Sequence, residues 1–165
     1  YKENEFDVIL SQYGHMFAPR PALVVKELAR VLKPGGILAF STWPKELFMG
    51  KFFKLIESFS QPLPPEVASP VLWGDMAVIE DRLKDHFDKI EFGRDTMFAP
   101  TMSPAHMLKL FEKNAGPLAN LVKALAHDPD KLSDLRTSAL LLIEKFFSGN
   151  FLRQDFIMTR CIKQA

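Results

Sequence analysis

Cysteine is nearly absent from this 165-residue sequence, and Cys161 stands alone. No disulfide can form within the chain, so a reducing, cytoplasmic setting is expected. An excess charge of either sign is also missing: 21 Lys and Arg face 20 Asp and Glu, for a formal net charge of +1. The two signs are interleaved rather than blocked, which removes the electrostatic reason to expect nucleic acid. No apolar run approaches the roughly 20 residues of a membrane span, and no signal peptide is visible, so no membrane partner is expected. Glycine is sparse, at eight residues, and no two glycines are separated by a single residue. The one adjacent pair, Gly35-Gly36, falls after a helical pattern and before an apolar run. A ligand-cradling glycine loop needs the reverse order, strand first and helix second.

What the chain does contain is a strand–helix–strand unit over residues 6–43. Phe6, Val8, Ile9 and Leu10 form a nearly continuous apolar run that ends in Ser11, Gln12 and Gly14. Such a run predicts a parallel strand buried on both faces. Pro21 suits the first turn of a helix, where its missing N–H has no partner to lose. Val24, Leu28, Val31 and Leu32 follow at helical spacing, with Lys26, Glu27 and Arg30 on the opposite side. Lys33-Pro34-Gly35-Gly36 ends that helix, and Ile37, Leu38, Ala39, Phe40 and Trp43 make the second strand. Two such strands joined by a helix form a βαβ unit with a right-handed crossover.

Downstream the period becomes helical. Phe48, Phe52, Leu55, Ile56 and Phe59 mark one helix, and a proline-rich connection from Gln61 to Pro70 follows. Asp75 is the predicted N-cap of the next helix, with Ile79, Leu83 and Phe87 as its buried face. A strand over residues 88–98 carries Ile90 and Phe92 in alternation. Ser103-Pro104, Gly116-Pro117 and Asp128-Pro129 each open a helix before a final strand at 151–163. The expected architecture is one α/β domain across residues 1–165: the βαβ unit at 6–43, helices and a strand at 46–98, helices at 103–147, and the last strand.

The runs FDVILSQYGHMFAP, ELARVLKPGG and LAFSTW, and more weakly VLWGD and FLRQDFIMTRCIK, resemble class I S-adenosylmethionine-dependent methyltransferases of the quinone-biosynthesis and small-molecule type. The resemblance implies strands four to seven of a Rossmann-like sheet, the C-terminal half of the fold, with the helices at 103–147 as a cap over the substrate end; the alternative is a helical bundle that only completes the core. In that family a G-x-G turn after the first strand and an acidic residue ending the second hold the cofactor, and neither is found here. Residue 1 is Tyr, and the expectation is that the first three strands belong to a missing N-terminal half. It follows that a homo-oligomer, or that half, closes the open sheet edge.

Ser11, Gln12, Tyr13 and Gly14 match the strand end that lines the cofactor's methionine and sulfonium region in relatives. Met16 and Phe17 match positions near the transferred methyl. Trp43 and Trp73 are candidates for the substrate wall, and Met97, Phe98 and Met102 could extend an apolar pocket, although core packing is the default for Met and aromatics. His15, beside the strand end, is a weak candidate for a general base, against the alternative of a surface histidine beside the site. His86, His106 and His127 show no ligand spacing, so no metal is expected. The implied function is methyl transfer from S-adenosylmethionine to a small, apolar molecule. The alternative is a non-catalytic methyltransferase-like module for dimerisation or partner binding.

Overall fold

Strand β1 (Phe6–Gln12) lies parallel to β2 (Leu32–Thr42), and helix α1 (Pro21–Val31) makes the crossover between them. Helix α2 (Phe48–Phe59) follows, then a 3-10 turn at Pro70–Gly74, α3 (Met76–Leu83) and β3 (Phe87–Pro100). Three helices, α4 (Pro104–Asn114), α5 (Gly116–Ala124) and α6 (Pro129–Glu144), lead to the two-residue β4 (Phe147–Ser148) and to β5 (Phe151–Lys163). The sheet order is β1-β2-β5-β3, with β4 against β5. Strand β5 is antiparallel to β2. The α/β, Rossmann-like class expected from sequence is what the chain adopts, with the helical insertion before the last strand.

The computed structural model describes residues 1–165. The chain forms two compact units. The first comprises Tyr1–Lys45, Leu63–Asp95 and Phe156–Ala165, and the second Glu46–Pro62 and Thr96–Asp155. The division arises because α2 and the 103–147 helices carry enough apolar surface for a core of their own. No helix is long and apolar enough to cross a membrane.

In the first unit one sheet face is packed and the other is open. Leu38, Phe40, Thr42, Ile157, Thr159 and Cys161 share the packed face and are all buried. The opposite face holds Val8 and Leu10 of β1, Ile37 and Ala39 of β2, and Met158 and Ile162 of β5, aligned by register. Leu10 is 77% exposed and Val8 50%. The expectation that β1 is buried on both faces is therefore corrected: β1 is an edge strand, and no helix covers its outer face. Burial also raises the Cys161 thiol to about 12, which keeps it protonated and unreactive.

Helix starts agree with the sequence signals. Asp75, Ser103 and Asp128 each accept a backbone N–H of their helix, from Ala77, His106 and Lys131 respectively. Such caps contribute about 1 kcal/mol each. Two boundaries differ from expectation. Strand pairing begins at Leu32, so the Lys33-Pro34-Gly35-Gly36 segment lies within β2, and Gly35 absorbs the local turn with φ 73°. Phe87 is buried as the first residue of β3 rather than as the end of a helical stripe. The β4–β5 hairpin, unforeseen in the sequence, turns through Gly149 and Asn150, both with positive φ, the geometry of a type I′ turn.

The second unit is built around phenylalanine. Phe48 is fully buried, and its ring lies 5.6 Å from Phe52, 6.0 Å from Phe111 and 5.6 Å from Phe146. Phe48→Ala should destabilise this unit by about 3–5 kcal/mol, the usual cost of removing a buried aromatic ring. Urea unfolding followed by near-ultraviolet circular dichroism checks it, and a loss below about 1 kcal/mol would mean that the cluster repacks freely.

Candidate functional site

Parallel pairing brings the carboxyl ends of β1 and β2 side by side, with Gln12 opposite Ser41. In open α/β sheets ligands bind outside these ends. The chain leaves β1 through Tyr13, whose φ of 58° is left-handed, an uncommon state for a residue with a side chain. Two contacts hold it there. Its N–H donates to the Ser41 carbonyl at 3.2 Å, and its ring stacks on Trp43 with centroids 3.8 Å apart and planes 4° from parallel. Burial raises the Tyr13 phenol above its ordinary value, with the Ser41 side chain pulling weakly the other way. The phenol is therefore neutral and can only donate or accept a hydrogen bond.

Beyond Tyr13, residues His15–Phe17 form a short 3-10 turn. The His15 N–H donates to Ser11 Oγ at 3.2 Å, and Ser11 Oγ lies 3.0 Å from His15 Nδ1. The hydroxyl can accept twice and donate once, so the direction of its bond with Nδ1 follows the imidazole tautomer. The imidazole packs edge-on to Phe40 at 4.4 Å and to Trp73 at 4.6 Å. The Arg82 guanidinium covers the Trp73 ring at 4.5 Å. Burial, with a smaller contribution from the Arg82 charge, lowers His15 to about 4. Its Nε2 is enclosed and unpartnered. Rather than standing at the surface, His15 is a neutral wedge between aromatic rings.

The expected site residues divide into groups. Tyr13 and Trp43 meet directly, and His15 joins Trp73. Gln12 and Gly14 are exposed at the strand end and Ser11 is half-buried. Met16 is core, whereas Phe17 next to it is exposed. Met97, Phe98 and Met102 belong to the second unit. Sequence reasoning missed Ser41, Arg82 and Gly74. A side chain on Gly74 would place Cβ 1.9 Å from the Trp43 carbonyl oxygen, so glycine alone lets the Pro70–Gly74 turn close on the end of β2. The Lys45 N–H donates to the Gly74 carbonyl at 3.3 Å, and the Lys45 ammonium pairs with Asp75. No group of three or more His, Cys, Asp or Glu side chains gathers as a metal site.

Two outcomes follow. Gly74→Ala should destabilise the first unit by about 2 kcal/mol or more, because backbone must move; a melting temperature unchanged by the substitution would contradict this close approach. His15 gives a pH signature. Its folded value of about 4 lies below its ordinary 6.5, so between these values the unfolded chain binds a proton that the native chain refuses. The contribution is complete above pH 6.5 and is lost as pH falls through 4, by about 3 kcal/mol in all. Urea titrations of wild type and His15→Gln at several pH values should show a shallower slope for the variant across that window, and parallel slopes would place His15 in water.

Residues 1–40 match the family model described as a methyltransferase domain. The uncharacterized protein Rv1403c of Mycobacterium tuberculosis is 26% identical over 159 residues, covering 96% of this chain and 58% of that protein. Rv1405c of the same organism is 24% identical over 168 residues, covering 99% and 60%. The chain therefore spans about three fifths of the length of these relatives. Among solved structures, a provisionally assigned methyltransferase of Bacillus halodurans superposes with a TM-score of 0.53 at 13% identity, over 100% of this chain and 73% of that one. An S-adenosylmethionine-dependent methyltransferase of Thermotoga maritima gives 0.51 at 16% identity, over 99% and 58%. The phosphoethanolamine N-methyltransferase 2 of Haemonchus contortus, solved with phosphomonomethylethanolamine and S-adenosylhomocysteine, gives 0.50 at 13%, over 100% and 35%.

Proposed function

The chain carries the fold of class I S-adenosylmethionine-dependent methyltransferases, and from that premise we propose that it takes part in methyl transfer to a small, apolar molecule. The observation that carries this reading is Tyr13, held in a left-handed conformation on Trp43 where the two parallel strands end. Backbone strain kept in place by surrounding contacts is characteristic of binding and catalytic positions. The residues fit the sulfonium end of S-adenosylmethionine: two aromatic rings and the polar Gln12 border the strand ends, and an aromatic face stabilises a neighbouring cation. A G-x-G turn, which would bring backbone close to the cofactor, is not among these 165 residues.

S-adenosylmethionine, when bound, supplies an already activated methyl group. The residues of this chain then have three tasks. Gln12, Tyr13 and Gly14 would line the methionine portion, Phe17 and Trp43 would border the acceptor, and the apolar walls would exclude water. Orientation alone can supply a large part of such a rate enhancement. A proton relay is not required of the buried, neutral His15. The proposed setting is the cytoplasm, since a sole, buried Cys161 needs no oxidising compartment.

The alternative reading, a non-catalytic dimerisation or partner-binding module, is favoured by one specific observation. Strand β1 has a free edge, and its outer face exposes Val8 and Leu10. Unpaired apolar edges are templates for association. We therefore propose that a second copy or an N-terminal half closes this edge.

Three measurements test these readings. By titration calorimetry the 165-residue chain alone should bind S-adenosylmethionine more weakly than micromolar, and tight binding would mean that the cofactor contacts lie elsewhere. In a preparation active in methyl transfer, Phe17→Ala should lower turnover by about tenfold while the fold is retained, as expected when a positioning contact is lost. Wild-type turnover would remove Phe17 from the site. Light scattering should show an oligomer or a second polypeptide, whereas a lone 18.8 kDa monomer at high concentration would sink the edge-closure proposal.

A further inference from the structure

The second unit contains a groove that the strand-end site does not use. It has a volume of about 390 Å³ and is walled by Phe98, Phe146, Phe147 and Phe151, with Leu47 at one side. Phe98 is 61% exposed, and it meets Phe151 edge to face at 6.4 Å. Phenylalanine rings left in water at a concave surface gain from any apolar body that covers them.

The polar part of the groove is Lys145, Arg153, Asp155 and Ser148. The Asp155 side chain is only 10% exposed, while that of its partner Arg153 is 57% exposed. Arg153 Nε donates to both carboxylate oxygens of Asp155 at 3.0 and 3.1 Å, and Nη2 to one at 2.7 Å. Thr96 Oγ1 donates to the same carboxylate at 2.7 Å. Burial alone would raise the Asp155 carboxyl, but these donors outweigh it and hold the group below its ordinary value. Asp155 is thus a fixed anchor that orients the guanidinium and leaves Nη1 free to donate. Lys145 makes no ion pair. Two cations against one carboxylate give the groove a net charge of +1.

We propose that this groove binds an apolar monoanion, a carboxylate carried on an aromatic or similarly flat hydrocarbon body. The rings of Phe98 and Phe151 cover the body, and Lys145 with the free Nη1 of Arg153 receives the carboxylate. An oriented guanidinium beside an ammonium suits one negative charge that accepts from both. The inference goes beyond the methyl-transfer proposal, because it concerns binding in the second unit and needs neither cofactor nor turnover.

The test uses the whole chain with three probes of equal size: 2-naphthoate, 2-naphthylmethylammonium and 2-naphthalenemethanol. Binding is followed by calorimetry and by amide shifts across residues 145–155. 2-Naphthoate should bind with a Kd of about 0.1–1 mM, in line with its few atoms, and the cation at least about tenfold more weakly. Lys145→Gln should weaken 2-naphthoate by about fivefold to tenfold with little effect on the neutral alcohol. Phe98→Ser should weaken both. Lys145 and Phe98 are exposed, so neither change threatens folding, and the probe comparison on wild type needs no variant at all. Equal affinity for the cation and the anion, or shifts confined to other segments, would overturn the proposal. 2-Naphthyl phosphate is the fourth arm: binding of that dianion with none of the carboxylate would overturn the monoanion assignment.

Discussion

The parallel pairing of β1 with β2 is the constraint on which the first unit rests. Because the two strands point the same way and are joined by α1, their carboxyl ends must finish together, and whatever follows each strand competes for the same small space. The chain resolves the competition by turning Tyr13 into a left-handed conformation and laying it on Trp43. Gly74 then closes against the Trp43 carbonyl, where any side chain would collide with backbone. A disturbed register would misplace all three, since a slip of one residue sends every side chain to the opposite face.

The electrostatics of this end are governed by enclosure rather than by charge. His15, Phe40, Trp73 and Arg82 form an edge-to-face cluster in which burial keeps the imidazole neutral at physiological pH and lowers the arginine as well. Such a setting is enclosed and holds a neutral imidazole. It suits a reaction in which the reagent brings its own activation and the protein supplies orientation and dryness. The proposed methyl transfer makes that demand.

The second unit follows a different logic. Its core is a cluster of phenylalanines on α2, on α4 and in the turn after α6, and the β4–β5 hairpin turns more of them outward beside Arg153 and Asp155. The nearly buried Asp155 would be costly without its donors, and truncating Arg153 would leave an unpaired charge. That pair is therefore better regarded as a positioned element than as an ordinary surface ion pair.

Much of the fold was legible in the chain. Apolar period, proline at helix starts and the capping residues Asp75, Ser103 and Asp128 named the helices, and the order of elements implied a βαβ unit, because these signals act within a few residues. Local pattern could not reveal that β1 is an edge with a bare face, since Val8 and Leu10 read the same whether or not a neighbour covers them. Nor could it assign His15, a residue whose pKa depends on Phe40, Trp73 and Arg82, all distant in sequence. The sequence by itself determined the order of the long helices and strands, β4 excepted, and which residue types stand at the strand ends. Only the tertiary structure decided which of those residues touch, how far each is withdrawn from water and that the chain forms two cores, because burial and contact are properties of packing between segments.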